Sequence, residues 1–215
     1  MPLIDYDALR RAPVTREPFA FTVAPDLIRP ADAAAIRADF PEIADSGLWP
    51  VEATNGGRKF RALLDELNGP DFARGLSEKF GVELMGRSKM ITVRGRCAAK
   101  DGRIHTDSRA KFVTVLVYFN DPWEAKGGRL RLLRSANDLD DMIAEVPPEA
   151  GTMVAFRRSD HSFHGHEPFE GVRRYVMINW MTSDLAAARE LARHRISARA
   201  KQAANWFAPK SAAHA

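Results

Sequence analysis

Two short segments hold most of the side chains in this sequence that could bind a metal ion. The first is His105-Thr-Asp107, and the second is His161-Ser-Phe-His164-Gly-His166. Residues two apart on an extended strand point to the same side, so His105 and Asp107 are directed at one point. An imidazole and a carboxylate that share a target need one further ligand, from a distant strand, to form a facial metal site with open positions. The later histidines are the candidates for that third ligand.

The composition is that of a globular domain with a sizeable core and extensions at its ends. The 215 residues are 45% hydrophobic and 28% charged, which is ordinary for a folded protein. The formal net charge of +4 and the pI near 9.4 are mildly basic. This balance favours anionic small substrates, but it is too weak to predict nucleic-acid binding, which we do not expect.

The cysteine count and the N-terminus bear on the compartment. Cys97 is the single cysteine, so no internal disulfide can form, as expected in a reducing compartment. The first residues include acidic side chains where a signal peptide needs an apolar run, and no 18-residue window is apolar enough to cross a membrane. We therefore expect a cytoplasmic protein without a membrane partner.

Several classes of site lack their required residues. One cysteine cannot supply a zinc site built from several thiolates. The sequence contains no Gly-x-Ser-x-Gly elbow, P-loop or dinucleotide fingerprint, and Gly56-Gly57 lacks the further glycines and the lysine of a phosphate-binding loop. The histidine and carboxylate segments remain the strongest candidates for chemistry.

The first third of the chain is predicted to be mainly helical. Pro30–Phe40, Phe60–Leu67 and Asp71–Phe80 have helical spacing of apolar residues, and Gly81 stands where a helix would end. The stretch 44–60 is predicted to be a loop. We interpret residues 1–81 as helical support and a substrate-entrance segment, and residues 184–215 as a C-terminal helix with a tail, capped by Ser183 or Asp184.

The middle of the chain is predicted to be a β domain over residues 82–183. Short β-branched or aromatic runs are separated by turn residues such as Asn120-Asp-Pro122 and Gly127-Gly128. Strands at this spacing indicate a sandwich or jelly roll rather than alternating βα units. The predicted fold class is mainly β with flanking helices (α+β). The predicted strands are 90–94, 112–119, 128–133, 151–156 and 174–180.

Set in order, several motifs of this region form a recognisable series. They are His105-Thr-Asp107, Val115–Asn120 followed by Trp123, Gly127–Leu132, Val146–Gly151 with Met153–Phe156, His164, and Arg174-Tyr175 with Trp180. Together they resemble the catalytic core of the iron(II)- and 2-oxoglutarate-dependent dioxygenases, in particular the prolyl 4-hydroxylase-like branch. The resemblance implies a double-stranded β-helix that binds Fe(II), uses 2-oxoglutarate and O2 as cosubstrates, and is supported by ascorbate in some members.

The resemblance also implies the metal ligands. His105 and Asp107 take the places of the two proximal iron ligands. His164 best matches the family's spacing between the distal histidine and the cosubstrate arginine, so we predict it as the third ligand. His166 would share a strand face with His164, and His161 would face away or lie in the preceding turn; both remain alternatives.

For the cosubstrate, the resemblance implies that Arg174 pairs with the distal carboxylate of 2-oxoglutarate and that Tyr118 hydrogen-bonds the same group. A planar guanidinium suits a carboxylate bidentately, which a lysine would not reproduce. Arg173 would then point to the opposite face, while Trp180 would share the side of Arg174. One departure concerns the strand before His105: many relatives have a tyrosine there that lines the cosubstrate pocket, and Val93–Cys97 contains none.

The activity implied is hydroxylation of an unactivated C–H bond with release of succinate and CO2. A prolyl residue of a protein, a free amino acid and a small metabolite are all possible substrates. A halogenase-like site is not expected, because Asp107 retains the carboxylate that chloride would replace. The alternative is a barrel that binds a metal or ligand without turnover, as a sensor or interaction module.

Overall fold

The computed structural model describes the backbone of residues 1–207 and the side chains of residues 1–196. The helices are α1 (Tyr6–Arg11), α2 (Pro30–Ala38), α3 (Arg58–Asn68), α4 (Pro70–Phe80) and α5 (Asp184–Phe207). The strands are β1 (Val14–Thr15), β2 (Phe21–Ala24), β3 (Trp49–Pro50), β4 (Lys89–Cys97), β5 (Lys111–Tyr118), β6 (Leu130–Leu133), β7 (Met142–Val146), β8 (Met153–Arg157), β9 (His164–Gly165) and β10 (Gly171–Met181). The predicted mainly β fold with flanking helices is confirmed.

Two antiparallel sheets form the β domain. The larger has seven strands in the order β1-β2-β8-β5-β10-β4-β3, and the smaller has three in the order β7-β6-β9. Apolar side chains of the small sheet, such as Leu132 and Val146, pack against Leu116 and Tyr118 of the large sheet. The opposite face of the large sheet packs against the helices. The molecule is therefore layered as helices, large sheet and small sheet, and the candidate site lies between the two sheets.

The helices of the first third form as their apolar spacing predicts. In α3 and α4 the buried residues recur at helical intervals, including Leu63, Leu67, Phe72 and Leu76. Helix α4 ends at Gly81, which has the left-handed conformation (φ +63°) common at helix ends. These side chains cover the large sheet on the face away from the candidate site.

The N-terminal segment also contributes strands, and β2 lies where the apolar run 19–23 predicts one. Strand β2 pairs with β8, and β3 pairs with β4, so residues 1–81 extend both edges of the large sheet. The stretch 44–60, predicted as a loop, contains β3, a short 3₁₀ turn at Val51–Ala53 and the first turn of α3. Strand β7 was also not predicted, because only its last residue, Val146, is fully buried.

The C-terminal helix begins as predicted. The Ser183 hydroxyl accepts a hydrogen bond from the amide N–H of Ala186 (3.2 Å), so Ser183 caps α5. The predicted tail at 208–215 lies outside the described residues. Within residues 1–207, no helix is both long and apolar enough to span a bilayer.

Candidate metal and ligand site

The two histidines of the candidate metal site are brought together by their own backbones. The amide N–H of His105 donates to the carbonyl oxygen of His164, and the N–H of His164 donates to that of His105, both at 3.0 Å. This pairing places the two imidazole rings 4.3 Å apart. Asp107 follows two residues after His105 on the same side. One ligand atom from each of His105, Asp107 and His164 lies within 4.8 Å of the other two.

Each imidazole is oriented with Nε2 free to bind a metal. Nδ1 of His105 lies 2.8 Å from the carbonyl oxygen of Arg103, and Nδ1 of His164 lies 3.0 Å from that of Ser162. A carbonyl can only accept, so Nδ1 carries the proton and donates, which leaves the lone pair on Nε2. Burial lowers the pKa of His164 to about 4, against the opposing influence of Asp107. The ring is therefore neutral near pH 7, as a metal ligand must be.

Asp107 is only 6% exposed and is held as an anion. Burial by itself would raise its pKa, but the Lys111 ammonium 2.7 Å from Oδ1 and the hydroxyl of Thr114 at Oδ2 outweigh it and lower the pKa. Two imidazoles and an ionised carboxylate are the donor set that suits Fe(II) and similar divalent metals. The residues present therefore fit the metal that the resemblance implies.

Thr114 and Asn179 fix the position of the Asp107 carboxylate. They face each other on the neighbouring strands β5 and β10. The Thr114 hydroxyl reaches Oδ2 of Asp107 at 2.5 Å and lies 2.9 Å from the Asn179 side-chain amide. A hydroxyl has one proton, and Asn179 Nδ2 is buried with no hydrogen-bond partner among the residues that the structure describes. With the amide turned over, Nδ2 donates to Thr114, whose proton then remains for Asp107.

Replacing Thr114 with valine should therefore weaken metal binding without removing a ligand. We expect the metal affinity to fall by about 10- to 100-fold, the usual cost of losing a group that orients a ligand. Metal titration calorimetry would measure this. Thr22→Val is a matched control, because Thr22 is also buried and hydrogen-bonded, to the carbonyl oxygen of Pro13, far from the site in sequence. Equal losses in both variants would contradict the assigned role of Thr114.

The three candidate ligands line a cavity of about 350 Å³ between the sheets. Leu116, Leu130 and Met177 form apolar parts of its wall, and Leu48 contributes from the N-terminal segment. The wall also includes three arginines, Arg94, Arg103 and Arg173. The cavity thus combines a metal-binding end with cationic groups suited to an anionic ligand.

Arg173 is a buried cation with no carboxylate partner in the described part of the chain. It is 2% exposed; its Nε donates to the carbonyl oxygen of Gly128 (2.7 Å), and its guanidinium carbon lies 5.3 and 5.2 Å from the ring centres of Tyr118 and Tyr175. Nη2 is 3.5 Å from the Tyr118 hydroxyl. A buried charge of this kind is costly unless an anion pairs with it. Burial raises the pKa of Tyr118 to about 12, so its O–H remains available as a donor.

The prediction that Arg174 faces the cavity is wrong. Along β10, Arg173, Tyr175 and Met177 line the cavity, whereas Val176 and Trp180 pack against the helices. Arg174 shares the side of Trp180, as predicted, but that side is the helix-covered face. Its side chain lines a separate surface depression, with neighbours that include Pro41 and Arg96.

The remaining histidines differ from each other. His161 is exposed in a turn, as expected. His166 is buried and lines the same cavity as His164, but it is not among the three grouped ligands. Its Nδ1 lies 2.8 Å from the carbonyl oxygen of Glu167, and burial, followed by the charge of Arg173, lowers its pKa to about 4. His166 is therefore a neutral wall residue beside Arg173.

Several cavity residues were not predicted from the sequence. Lys111, Thr114 and Asn179 support Asp107, and Arg94 lies where many relatives were expected to have a tyrosine. The available signal was strand alternation: Asn179 is six residues after Arg173, so both belong to the more polar side of β10.

Comparisons with known proteins agree with this geometry. Residues 96–182, which include His105, Asp107 and His164, match the 2OG-Fe(II) oxygenase superfamily. No curated protein sequence matches the chain.

The fold is similar to three solved structures at low identity. A prolyl-4-hydroxylase from Pseudomonas putida has a TM-score of 0.52 and 16% identity, over 82% of this chain and 90% of that one. HygX from Streptomyces hygroscopicus, with nickel and 2-oxoglutarate bound, has a TM-score of 0.52 and 10% identity over 75% and 81%. A prolyl hydroxylase from Trichoplax adhaerens, in complex with a peptide fragment of hypoxia inducible factor, has a TM-score of 0.50 and 16% identity over 78% and 86%. These likenesses confirm the predicted jelly-roll core.

Proposed function

We propose that the chain, whose residues 96–182 match the 2OG-Fe(II) oxygenase superfamily, is an oxygenase of that kind. In this proposal it hydroxylates an unactivated C–H bond, with His105, Asp107 and His164 as the iron ligands. The observation that supports this most directly is that one ligand atom from each of these three side chains lies within 4.8 Å of the other two, in the wall of the cavity between the sheets. When bound, Fe(II) with 2-oxoglutarate and O2 supplies the oxidising power and releases succinate and CO2.

The ligand residues of the chain bind and orient, while the chemistry belongs to the metal. Three protein ligands leave open coordination positions for the cosubstrates. The backbone carbonyls of Arg103 and Ser162 hold the two imidazoles with Nε2 toward the metal position.

For the cosubstrate we propose Arg173, with Tyr118, as the binding group of the distal carboxylate. Arg173 has no carboxylate partner among the described residues, and its planar guanidinium can donate hydrogen bonds to the oxygens of a ligand carboxylate. The neutral Tyr118 hydroxyl, 3.5 Å away, can donate to the same oxygens. Leu116 and Met177 give the same cavity apolar wall.

The similar structures are mostly named as prolyl hydroxylases, and one contains a peptide. We therefore retain a prolyl residue of a protein, a free amino acid and a small metabolite as candidate substrates, and consider the prolyl 4-hydroxylase-like branch the best description of the enzyme.

The experiment is to incubate the purified protein with Fe(II), 2-oxoglutarate and O2 and to measure succinate. We expect slow succinate formation without added substrate, and its complete loss when a chelator removes the metal. Because uncoupled turnover is slow in the absence of the true substrate, binding of 2-oxoglutarate to the metal-loaded protein should be measured in parallel by calorimetry. Binding of both ligands with no succinate under any condition would favour the non-catalytic alternative. Failure to bind 2-oxoglutarate would contradict the proposal itself.

A further inference from the structure

The cavity contains more positive charge than the cosubstrate needs. Its lining includes five cationic side chains but only two carboxylates. Two of the cations are paired, Lys111 with Asp107 and Arg94 with Asp101. The five cations are Arg94, Lys100, Arg103, Lys111 and Arg173.

Once Arg173 is assigned to 2-oxoglutarate, Lys100 and Arg103 remain. Neither forms an ion pair with any residue that the structure describes, and both are exposed at the mouth of the cavity. Exposed cations are common and are often simply solvated. Two observations nevertheless indicate that Lys100 and Arg103 bind a ligand. One is how their loop is positioned, and the other is the incomplete hydrogen bonding of Arg94, which lines the same cavity.

Lys100 and Arg103 are held at the mouth by the backbone of their own loop. Between them lies Gly102, whose carbonyl oxygen accepts a hydrogen bond from the N–H of His166 at 2.9 Å. A Cβ atom at Gly102 would lie only 2.4 Å from His166 Nδ1, so the loop lies directly against the cavity wall. Arg103 is also two residues before the candidate metal ligand His105, and both side chains line the cavity.

Arg94 is only partly satisfied by the protein. Both of its hydrogen bonds leave from Nη1, to Asp101 and to the sulfur of Cys97. Its Nε is buried and has no hydrogen-bond partner among the described residues. A buried donor without an acceptor is unusual in a native protein. Nη2 of Arg94 forms no hydrogen bond with the described residues, and the side chain lines the cavity, so this guanidinium can donate to a ligand carboxylate.

On the premise of the proposed function, we propose that the molecule hydroxylated by this enzyme has a carboxylate group, which binds Arg94 and the cations Lys100 and Arg103 at the cavity mouth. Arg94 and Arg173 lie on neighbouring strands, and their guanidinium carbons are 5.8 and 5.2 Å from the centre of the Tyr175 ring. The cavity thus offers the guanidinium of Arg173 for the cosubstrate, and that of Arg94 with Lys100 and Arg103 at the mouth for the substrate.

The test uses the full-length protein loaded with Fe(II) and saturating 2-oxoglutarate under anaerobic conditions. Free L-amino acids are titrated by calorimetry and compared with the same amino acids as C-terminal amides, with proline and prolinamide as the first pair. A second arm compares blocked peptides that contain one glutamate or one glutamine. We expect at least one carboxylate probe to bind about tenfold or more tightly than its amide. A response confined to the peptide arm would place the carboxylate on a peptide side chain.

Variants then locate the effect. The double variant Lys100→Ala/Arg103→Ala should remove most of the preference for the acid over the amide, and so should Arg94→Gln. Arg94→Lys removes the guanidinium but keeps a positive charge beside Asp101. It therefore distinguishes loss of the guanidinium from loss of the ion pair with Asp101. Arg96→Ala is the matched control for Arg94, because Arg96 lies on the same strand but lines the other depression. Arg109→Ala is the control for the mouth, since Arg109 is exposed nearby and outside the cavity lining.

The outcomes separate this inference from the proposed function. Normal 2-oxoglutarate binding together with equal binding of acids and amides, or with no bound acid at all, would overturn the inference and leave the proposed function standing. A preference for acids that survives in the Lys100/Arg103 and Arg94 variants would also overturn it. If the wild-type protein does not bind 2-oxoglutarate, the proposed function itself fails.

Discussion

Alanine at His105, Asp107 or His164 is expected to abolish iron binding and, with it, succinate formation. Each side chain supplies one of three ligand atoms, so each substitution leaves two, and the affinity for Fe(II) should fall by about three orders of magnitude or more, equivalent to ~4 kcal/mol. Asp107→Ala also leaves Lys111 without its partner. Asp107→Asn, which keeps the shape of the side chain, is therefore the cleaner variant at that position.

The measurements are metal titration calorimetry and succinate release in the presence of 2-oxoglutarate. His161→Ala is the matched control, because His161 is exposed and lies three residues from His164. It should retain wild-type metal affinity. His166→Ala tests the alternative third ligand directly. If the His166→Ala variant no longer binds the metal and the His164→Ala variant still does, the assignment of the third ligand is wrong. If succinate formation is unchanged in the His105→Ala and Asp107→Ala variants, the protein is not an oxygenase of this kind.

The second large effect is expected at Arg173. Replacing it with alanine should weaken 2-oxoglutarate binding by about 30- to 1000-fold. The reason is that removing one partner of a buried, charge-assisted hydrogen bond to a carboxylate costs roughly 2–4 kcal/mol of binding free energy. Arg174→Ala, one residue away and of the same type, should leave this affinity unchanged, since Arg174 lines the other face of the sheet. The dissociation constant of 2-oxoglutarate, measured on the metal-loaded protein, distinguishes the two.

Thermal unfolding provides an independent reading of the Arg173 variants. Arg173→Met removes a buried cation that has no carboxylate partner in the described chain while keeping apolar contact with Tyr118 and Tyr175. The ligand-free variant should be at least as stable as wild type. It should lose the increase in melting temperature that 2-oxoglutarate gives the wild-type protein. A large effect of Arg174→Ala on ligand binding, with none from Arg173→Met, would restore the assignment implied by the sequence.

The sequence was sufficient for the parts of this protein that depend on local geometry. The two-residue spacing of His105 and Asp107 predicts a shared direction, and helices α3 and α4 follow from apolar residues at helical intervals. Strand β9, by contrast, has two residues and exists only because its backbone pairs with β6 and with His105. Pairing between residues this far apart in the sequence produces no recognisable pattern in the residues around them.

The error at Arg174 has a specific physical cause. Strand β10 is covered by helices on one face and by the cavity and small sheet on the other, so nearly all of its residues are buried. The alternation of polar and apolar residues that normally identifies the inner face is lost when both faces are covered. Trp180 was a misleading guide, since it belongs to the helix-packed core.

The same double burial of β10 bears on how the protein can change over evolution. On one face, Val176, Ile178 and Trp180 pack the sheet against the helices. On the other, Arg173, Tyr175 and Met177 line the cavity. Selection for a folded chain and selection for a particular substrate therefore act on alternate residues of one strand. A descendant can acquire a different ligand preference through the second set while the first preserves the scaffold.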